Sequence, residues 1–259
     1  MALTKEEIKN VEDVLKSSLR NKFQNYKPET EHMPFHYRLL GRDRMALYSF
    51  LQSLNTTFGT SIYEPVAKEI AKTKFKRAET QYILGNIITQ DSQNEIQKIM
   101  NDLSVDGEVD KTIETEKIRS VAQSGQHNKL KSVKVDLFLE SKSGEIFMFD
   151  LKTVKPNKGD FISYKRNMLE WLAVFLFNNP KTKVNTLISI PYNPYEPKPY
   201  ARWTMKGMLD LKHEVMVAEE FWDFLGGKNT YDDLLDCFER VGIELRDEID
   251  TYFKHFNKK

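Results

Sequence analysis

Ile8, Val11, Leu15, Leu19 and Phe23 recur at three- and four-residue steps, and Thr4 with Glu7 forms a capping box ahead of them, so the chain is predicted to open with an amphipathic helix. Pro28 and Pro34 interrupt that pattern, and helical spacing returns over 44–54. A third helix is expected across 59–71, through Glu64. Pro65 is tolerated only in a first helical turn, which moves the expected start to 60–63. Ser92 and Glu95 make a second capping box before Ile96, Ile99, Met100 and Leu103, while the acidic, apolar-poor stretch 106–116 reads as a surface excursion.

The period then changes from helical to alternating. Residues 133–139 and 145–152 are β-branched and aromatic runs separated by Glu140-Ser141-Lys142-Ser143-Gly144, which predicts a strand, a turn and a strand. A helix follows over 160–177, with a nearly continuous apolar stretch through Met168, Trp171 and Phe175 that suits packing against a sheet. A third strand is predicted over 184–190 and an ordered, proline-stiffened loop or arm over 191–200. Helices over 219–225 and 230–241 close the chain. The simplest architecture is one α/β domain over 1–259, with its core at about 44–190 and a helical C-terminal portion from about 205 to 259.

Composition narrows the function classes. The chain has 259 residues, 40% hydrophobic and 30% charged, enough to bury a core. Its net charge of +1 excludes a polycation that coats nucleic acid, so any DNA binding must come from local basic patches. The single cysteine, Cys237, lies among Leu234, Leu235 and Phe238 and is expected to be a buried thiol. No stretch approaches eighteen uncharged apolar residues and no leader pattern opens the chain, so a cytoplasmic, membrane-free protein is expected. The histidines lack zinc-site spacing, and the absence of a glycine-rich phosphate loop argues against a nucleotide cofactor.

The predicted hairpin carries the candidate chemistry. Alternation along its second strand puts Asp150 and Lys152 on one face, and folding about the turn brings Asp136 beside or diagonally opposite Asp150. Two carboxylates this close in an apolar strand pair repel, and a hard divalent cation relieves that repulsion. Magnesium suits the site: Asp136, Asp150 and the Leu151 carbonyl are candidate ligands, leaving positions for a phosphate oxygen and a water. Lys152 is the candidate group to orient or help deprotonate that water and to offset charge in the transition state. A helix with Lys165 and Arg166 near its start follows.

Val135-Asp136 followed by Asp150-Leu151-Lys152 resembles the PD-(D/E)XK nuclease signature, without the proline that usually precedes the aspartate. That resemblance implies a restriction-endonuclease-like core, a mixed β-sheet flanked by helices with helical N- and C-terminal additions, cutting phosphodiesters with Mg2+. It also implies a glutamate on an earlier helix near the metal, a role for Glu64. More widely, Met33-Pro34-Phe35-His36, Ser53-Leu54-Asn55-Thr56-Thr57-Phe58-Gly59-Thr60-Ser61, the segments 135–140, 149–157 and 191–205, and Phe221-Trp222-Asp223-Phe224-Leu225-Gly226-Gly227 together resemble the TdeIII family of type II restriction endonucleases. The implied target is GGNCC, cut on both strands of double-stranded DNA, with a cognate methyltransferase in the same cell.

A GGNCC reader needs donors for guanine N7 and O6. Lys198, Arg202 and Lys206, interleaved with Tyr195, Tyr200 and Trp203, are the candidates, while Lys155, Asn157 and Lys158 are better placed for phosphates. A site that is twofold symmetric about its central base suits a homodimer with one catalytic set per chain, joined through the first helix or the C-terminal helices. Two other readings stand beside this one: a repair or recombination nuclease that reads DNA shape, and a non-catalytic DNA-binding protein of the same fold.

Overall fold

The computed structural model of the protein describes residues 2–27, 33–105, 107–152, 158–200 and 205–254. Thr4 caps α1 (Lys5–Asn25) as its pattern requires: the Thr4 hydroxyl accepts the Glu7 N–H at 3.2 Å and the Glu7 carboxylate accepts the Thr4 N–H at 2.7 Å. Val11 and Leu15 are its buried stripe, turned toward α4 (Glu64–Ala71) and α9 (Thr230–Glu244). The break after α1 contains a short helix the pattern did not show, α2 (Pro34–Leu40), which buries none of its side chains and leaves Phe35 and Leu39 exposed. Then α3 (Arg42–Phe58) runs through a π-helical turn, Gly59–Tyr63, directly into α4, where Pro65 falls in the first turn.

Among the described residues five strands form one sheet in the order β1 (Arg77–Thr89), β2 (His127–Glu140), β3 (Ile146–Leu151), β4 (Val184–Ile190), β5 (Val215–Val217). The first three are antiparallel neighbours and the last two join in parallel, so the sheet is mixed and the fold is α/β of the restriction-endonuclease-like kind. Ser141 through Glu145 makes the turn, one residue later than anticipated because Glu140 still pairs with Ile146, and Gly144 has φ 84, where a side chain would be strained. Crossing from β3 to its parallel neighbour β4 takes the long helix α7 (Lys158–Asn178).

The two faces of the sheet are covered by different helices. Phe138 and Met148 are cross-strand partners facing α7, where Phe138 meets Phe175 at 6.1 Å between centroids. Phe147 and Phe149 point the other way, against Phe224 and Phe221 of α8 (Glu219–Gly226) at 5.0 and 5.4 Å. One contiguous set of buried apolar side chains runs from Leu3 to Leu245 and includes Cys237. No helix among the described residues is long and apolar enough to cross a membrane.

Four expectations are corrected. The first strand, β1, went unread because its apolar run is broken by Gly85 and its N-terminal half is only partly buried, which leaves no clean alternation. Residues 106–116 are no mere surface excursion: Lys111 opens α6 (Lys111–Val121), and Lys111 and Glu114 are buried. The helix α5 (Gln90–Ser104) is capped not by Ser92 but by Thr89, whose hydroxyl accepts the Ser92 N–H at 3.1 Å; Ser92 is inside the helix and buried. The C-terminal portion also holds β5 and a last helix, α10 (Arg246–Lys254), beyond the two helices anticipated.

Candidate active site

The register of the hairpin sets the site. Leu137 pairs with Phe149, so the next step along the two strands sets Asp136 against Asp150, on the face that carries α7. Asp136 is half-buried, and its Oδ2 accepts the Leu151 N–H at 2.9 Å. Asp150 is 4% exposed, and its Oδ1 lies 2.6 Å from the Lys152 ammonium. Lys152 anchors the end of β3 through its own N–H, donated to the Ser189 carbonyl at 2.9 Å, and its ammonium sits 4.5 Å from the Tyr164 ring centre on α7.

Glu64 arrives from a different element. The π-helical turn before α4 sets it at the helix start, 2% exposed, where the Gln81 amide donates to its two oxygens at 3.0 and 2.9 Å. The same Gln81 nitrogen lies 3.4 Å from Asp136 Oδ1, so Glu64, Asp136 and Asp150 are drawn into one cluster. Gln81 escaped the sequence reading because it sits in the unread strand, and a lone glutamine there carries no signal of its own.

The electrostatics follow from burial. Desolvation pushes the Glu64 carboxyl up to about 7 despite the Gln81 amide, with the charges of Asp136 and Asp150 adding to the rise. Desolvation likewise pushes Asp150 up to about 7, against the pull of Lys152 and with a further push from Asp136. Burial draws the Lys152 ammonium down, but the adjacent Asp150 outweighs it and the net shift is upward, so this lysine stays charged. Glu64, Asp136 and Asp150, with Lys152 beside Asp150 and Lys134 acting on Glu64, make a partly desolvated cluster whose acids offer only oxygen donors.

Such a donor set fits a hard divalent cation. Among the described residues no three His, Cys, Asp or Glu side chains are closed into a ready-made cage. Magnesium does not need one, since it binds through one or two carboxylates and keeps several waters. Asp136 and Asp150 bring two such carboxylates together at the end of the hairpin.

The candidate DNA contacts divide differently. Lys198 and Lys206 are exposed, and the segment that carries Lys198 leaves the sheet at the end of β4 that lies beside Asp150 and Leu151. Tyr195 and Tyr200 pack together there at 5.8 Å. Lys155, Asn157 and Arg202 lie outside the described residues, as does the side chain of Lys158, which begins α7. Lys165 does not face outward. It is fully buried, paired with Glu114 and with Glu214 at 2.8 Å, and Glu214 is also paired with Lys111 at 3.1 Å. Arg166 donates to Gln97 at 2.9 Å.

Comparison with known proteins gives the same direction across most of the chain. The family model described as "Type II restriction endonuclease, HinfI" matches residues 3–242. Type II restriction enzyme HgiCII of Herpetosiphon aurantiacus is 27% identical over 222 residues, covering 83% of this chain and 80% of the relative. Type II restriction enzyme HgiEI of the same organism is 25% identical over 221 residues, 83% of this chain and 79% of the relative. Type II restriction enzyme MjaII of Methanocaldococcus jannaschii is 28% identical over 211 residues, 76% of this chain and 55% of the relative.

Proposed function

This chain belongs to the HinfI-type family of type II restriction endonucleases, and on that premise we propose that it cuts a short palindromic site, GGNCC, on both strands by magnesium-dependent hydrolysis at Asp136, Asp150 and Lys152. Membership makes it a site-specific deoxyribonuclease acting on double-stranded DNA, which sets aside the non-catalytic reading. The observation that carries the catalytic assignment is the convergence of the hairpin: Asp136 bonded to the Leu151 N–H at 2.9 Å and Lys152 at 2.6 Å from Asp150. It supports reading the hairpin as a PD-(D/E)XK centre.

Asp136, Asp150 and the Leu151 carbonyl would hold the magnesium, which supplies a polarising charge on the scissile phosphate and a more acidic bound water. Lys152, held charged beside Asp150 in the metal-free protein, offsets the growing negative charge on the phosphate and orients or helps deprotonate the attacking water. The Tyr164 ring fixes that ammonium from the side of α7. Glu64 steadies the position of Asp136 through the shared Gln81 amide.

Target choice rests on the likeness of the six segments to the TdeIII family. Arg202, with Lys198 and Lys206, reads guanine edges, and Lys155, Asn157 and Lys158 hold phosphates. Two copies of the chain take one half-site each, because each brings one catalytic set. The protein works in the cytoplasm beside a methyltransferase that protects the same sites. Digesting a sequenced plasmid and reading the cut ends tests the reading: every end should map to GGNCC, and ends scattered over unrelated sequences would overturn it. Sedimentation on a short duplex should give two chains per site; one chain per duplex while both strands are cut in one binding event would remove the dimer.

A further inference from the structure

Gln81 is the odd residue of β1. Its φ is 53, a left-handed conformation that side-chain-bearing residues rarely adopt within a strand. The ladder is interrupted there: Thr80 pairs with Leu137 and Tyr82 with Val135, and the step between them, where Gln81 faces Asp136, is left out of the pairing. Glycine would accept this backbone without strain, so a glutamine persists only where its surroundings hold it in place. The amide nitrogen lies 3.0 and 2.9 Å from the two Glu64 oxygens and 3.4 Å from Asp136 Oδ1.

An amide in that place differs from an ammonium or a guanidinium. A lysine would neutralise the acids and compete with any incoming cation as a fixed charge. A carboxamide donates to the carboxylates yet leaves their charge intact. We propose that Gln81 is a positioning residue: its amide holds the Glu64 and Asp136 carboxylates in place for a divalent cation without cancelling the charge that attracts it. The left-handed backbone is what delivers the amide between an acid on α4 and an acid on β2. This inference rests on the cation reading of the Asp136 and Asp150 pair, and it adds a residue that does not itself touch substrate.

The test uses the whole chain without DNA, with manganese as probe, counted by the free-ion electron paramagnetic resonance signal, and Gln81→Gly, Gln81→Met and Asp150→Ala as variants. Gly keeps the backbone conformation and removes the amide; Met keeps the side-chain length and removes the donor. Both should bind manganese roughly 10- to 100-fold more weakly than wild type, as loss of an outer-shell partner does. Gln81→Gly should unfold within roughly 3 °C of wild type in EDTA. Manganese affinity unchanged in both variants would overturn the inference while leaving the cation reading intact. Unfolding of both variants would overturn it too, by making Gln81 structural. Wild-type binding no tighter than that of Asp150→Ala would remove the cation reading and this inference together.

Discussion

Asp136 accepts the backbone N–H of Leu151 at 2.9 Å, which ties the acid of β2 to the peptide immediately following the acid of β3. The bond fixes the Asp136 carboxylate against the main chain of β3, beside the residue that carries the second acid. Asparagine at 136 can still accept that N–H through its carbonyl oxygen, but it loses the charge. Asp136→Asn is therefore expected to keep the wild-type fold and to lose at least about 100-fold in cleavage rate. Asp136→Ala should lose cleavage and also about 1 kcal/mol or more of stability, because the hydrogen-bond acceptor is gone. Urea unfolding alongside a cleavage time course checks both; equal stability of the two variants would dissociate the bond from the fold.

The acid cluster makes the metal-free protein sensitive to pH in a defined direction. Burial raises Glu64 from 4.5 to about 7 and Asp150 from 3.8 to about 7. Between the lower and upper values the folded protein keeps protons that the unfolded chain has released, so stability falls as pH rises through that window and levels off above it. Melting temperatures in EDTA should decline from pH 5 toward pH 8, Asp150→Asn and Glu64→Gln should each flatten the decline, and magnesium should restore stability at pH 8. A decline identical in wild type and both variants would mean other groups cause it.

What the sequence disclosed and what it hid have physical reasons. The Asp136 and Asp150 hairpin was legible because one face of each strand is apolar and the turn residues are polar, so period and register are both written in the residues. Strand β4 was read to its observed bounds, Val184–Ile190, for the same reason. Strand β1 was hidden because its burial is intermediate along most of its length. With it went Gln81, whose part is set by a φ of 53 and a cross-strand neighbour, neither of which a residue type reveals. Helix α6 was hidden because two of the side chains it buries, Lys111 and Glu114, are charged, so no apolar stripe marks its inner face.

That buried charge carries its own prediction. Lys165, fully buried, joins Glu114 and Glu214 and so links α7 to α6 and to the segment before β5. Removing it takes the ammonium from Glu114 and leaves Glu214 with Lys111 alone, and breaking a buried pair costs roughly 3 to 5 kcal/mol. Lys165→Met should lower stability by that order in urea unfolding while leaving the salt dependence of DNA binding as in wild type. A weaker salt dependence with unchanged stability would make Lys165 a DNA contact instead.

On the outer surface the expectation is reversed. Lys198→Ala and Lys206→Ala should leave the melting temperature unchanged, since both side chains are exposed. Arg202→Ala should weaken binding to GGNCC by roughly 1 to 3 kcal/mol and leave random DNA little affected, as loss of a guanine contact does. Lys155→Ala should weaken both equally and reduce the salt slope by about one. Titrations of a cognate and a scrambled duplex at several salt concentrations separate the two classes, and equal losses for Arg202→Ala on both duplexes would make it a phosphate contact.

The most direct test of the catalytic centre is cleavage of supercoiled plasmid by wild type and by Lys152→Ala, each with magnesium and with EDTA. Lys152 is held 2.6 Å from Asp150 and stays charged, so its loss should remove transition-state stabilisation without disturbing the core. Linear product is expected only for wild type with magnesium, with a rate at least roughly 100-fold lower for Lys152→Ala at the same DNA occupancy. Cleavage by Lys152→Ala at the wild-type rate, or by wild type in EDTA, would contradict the assignment.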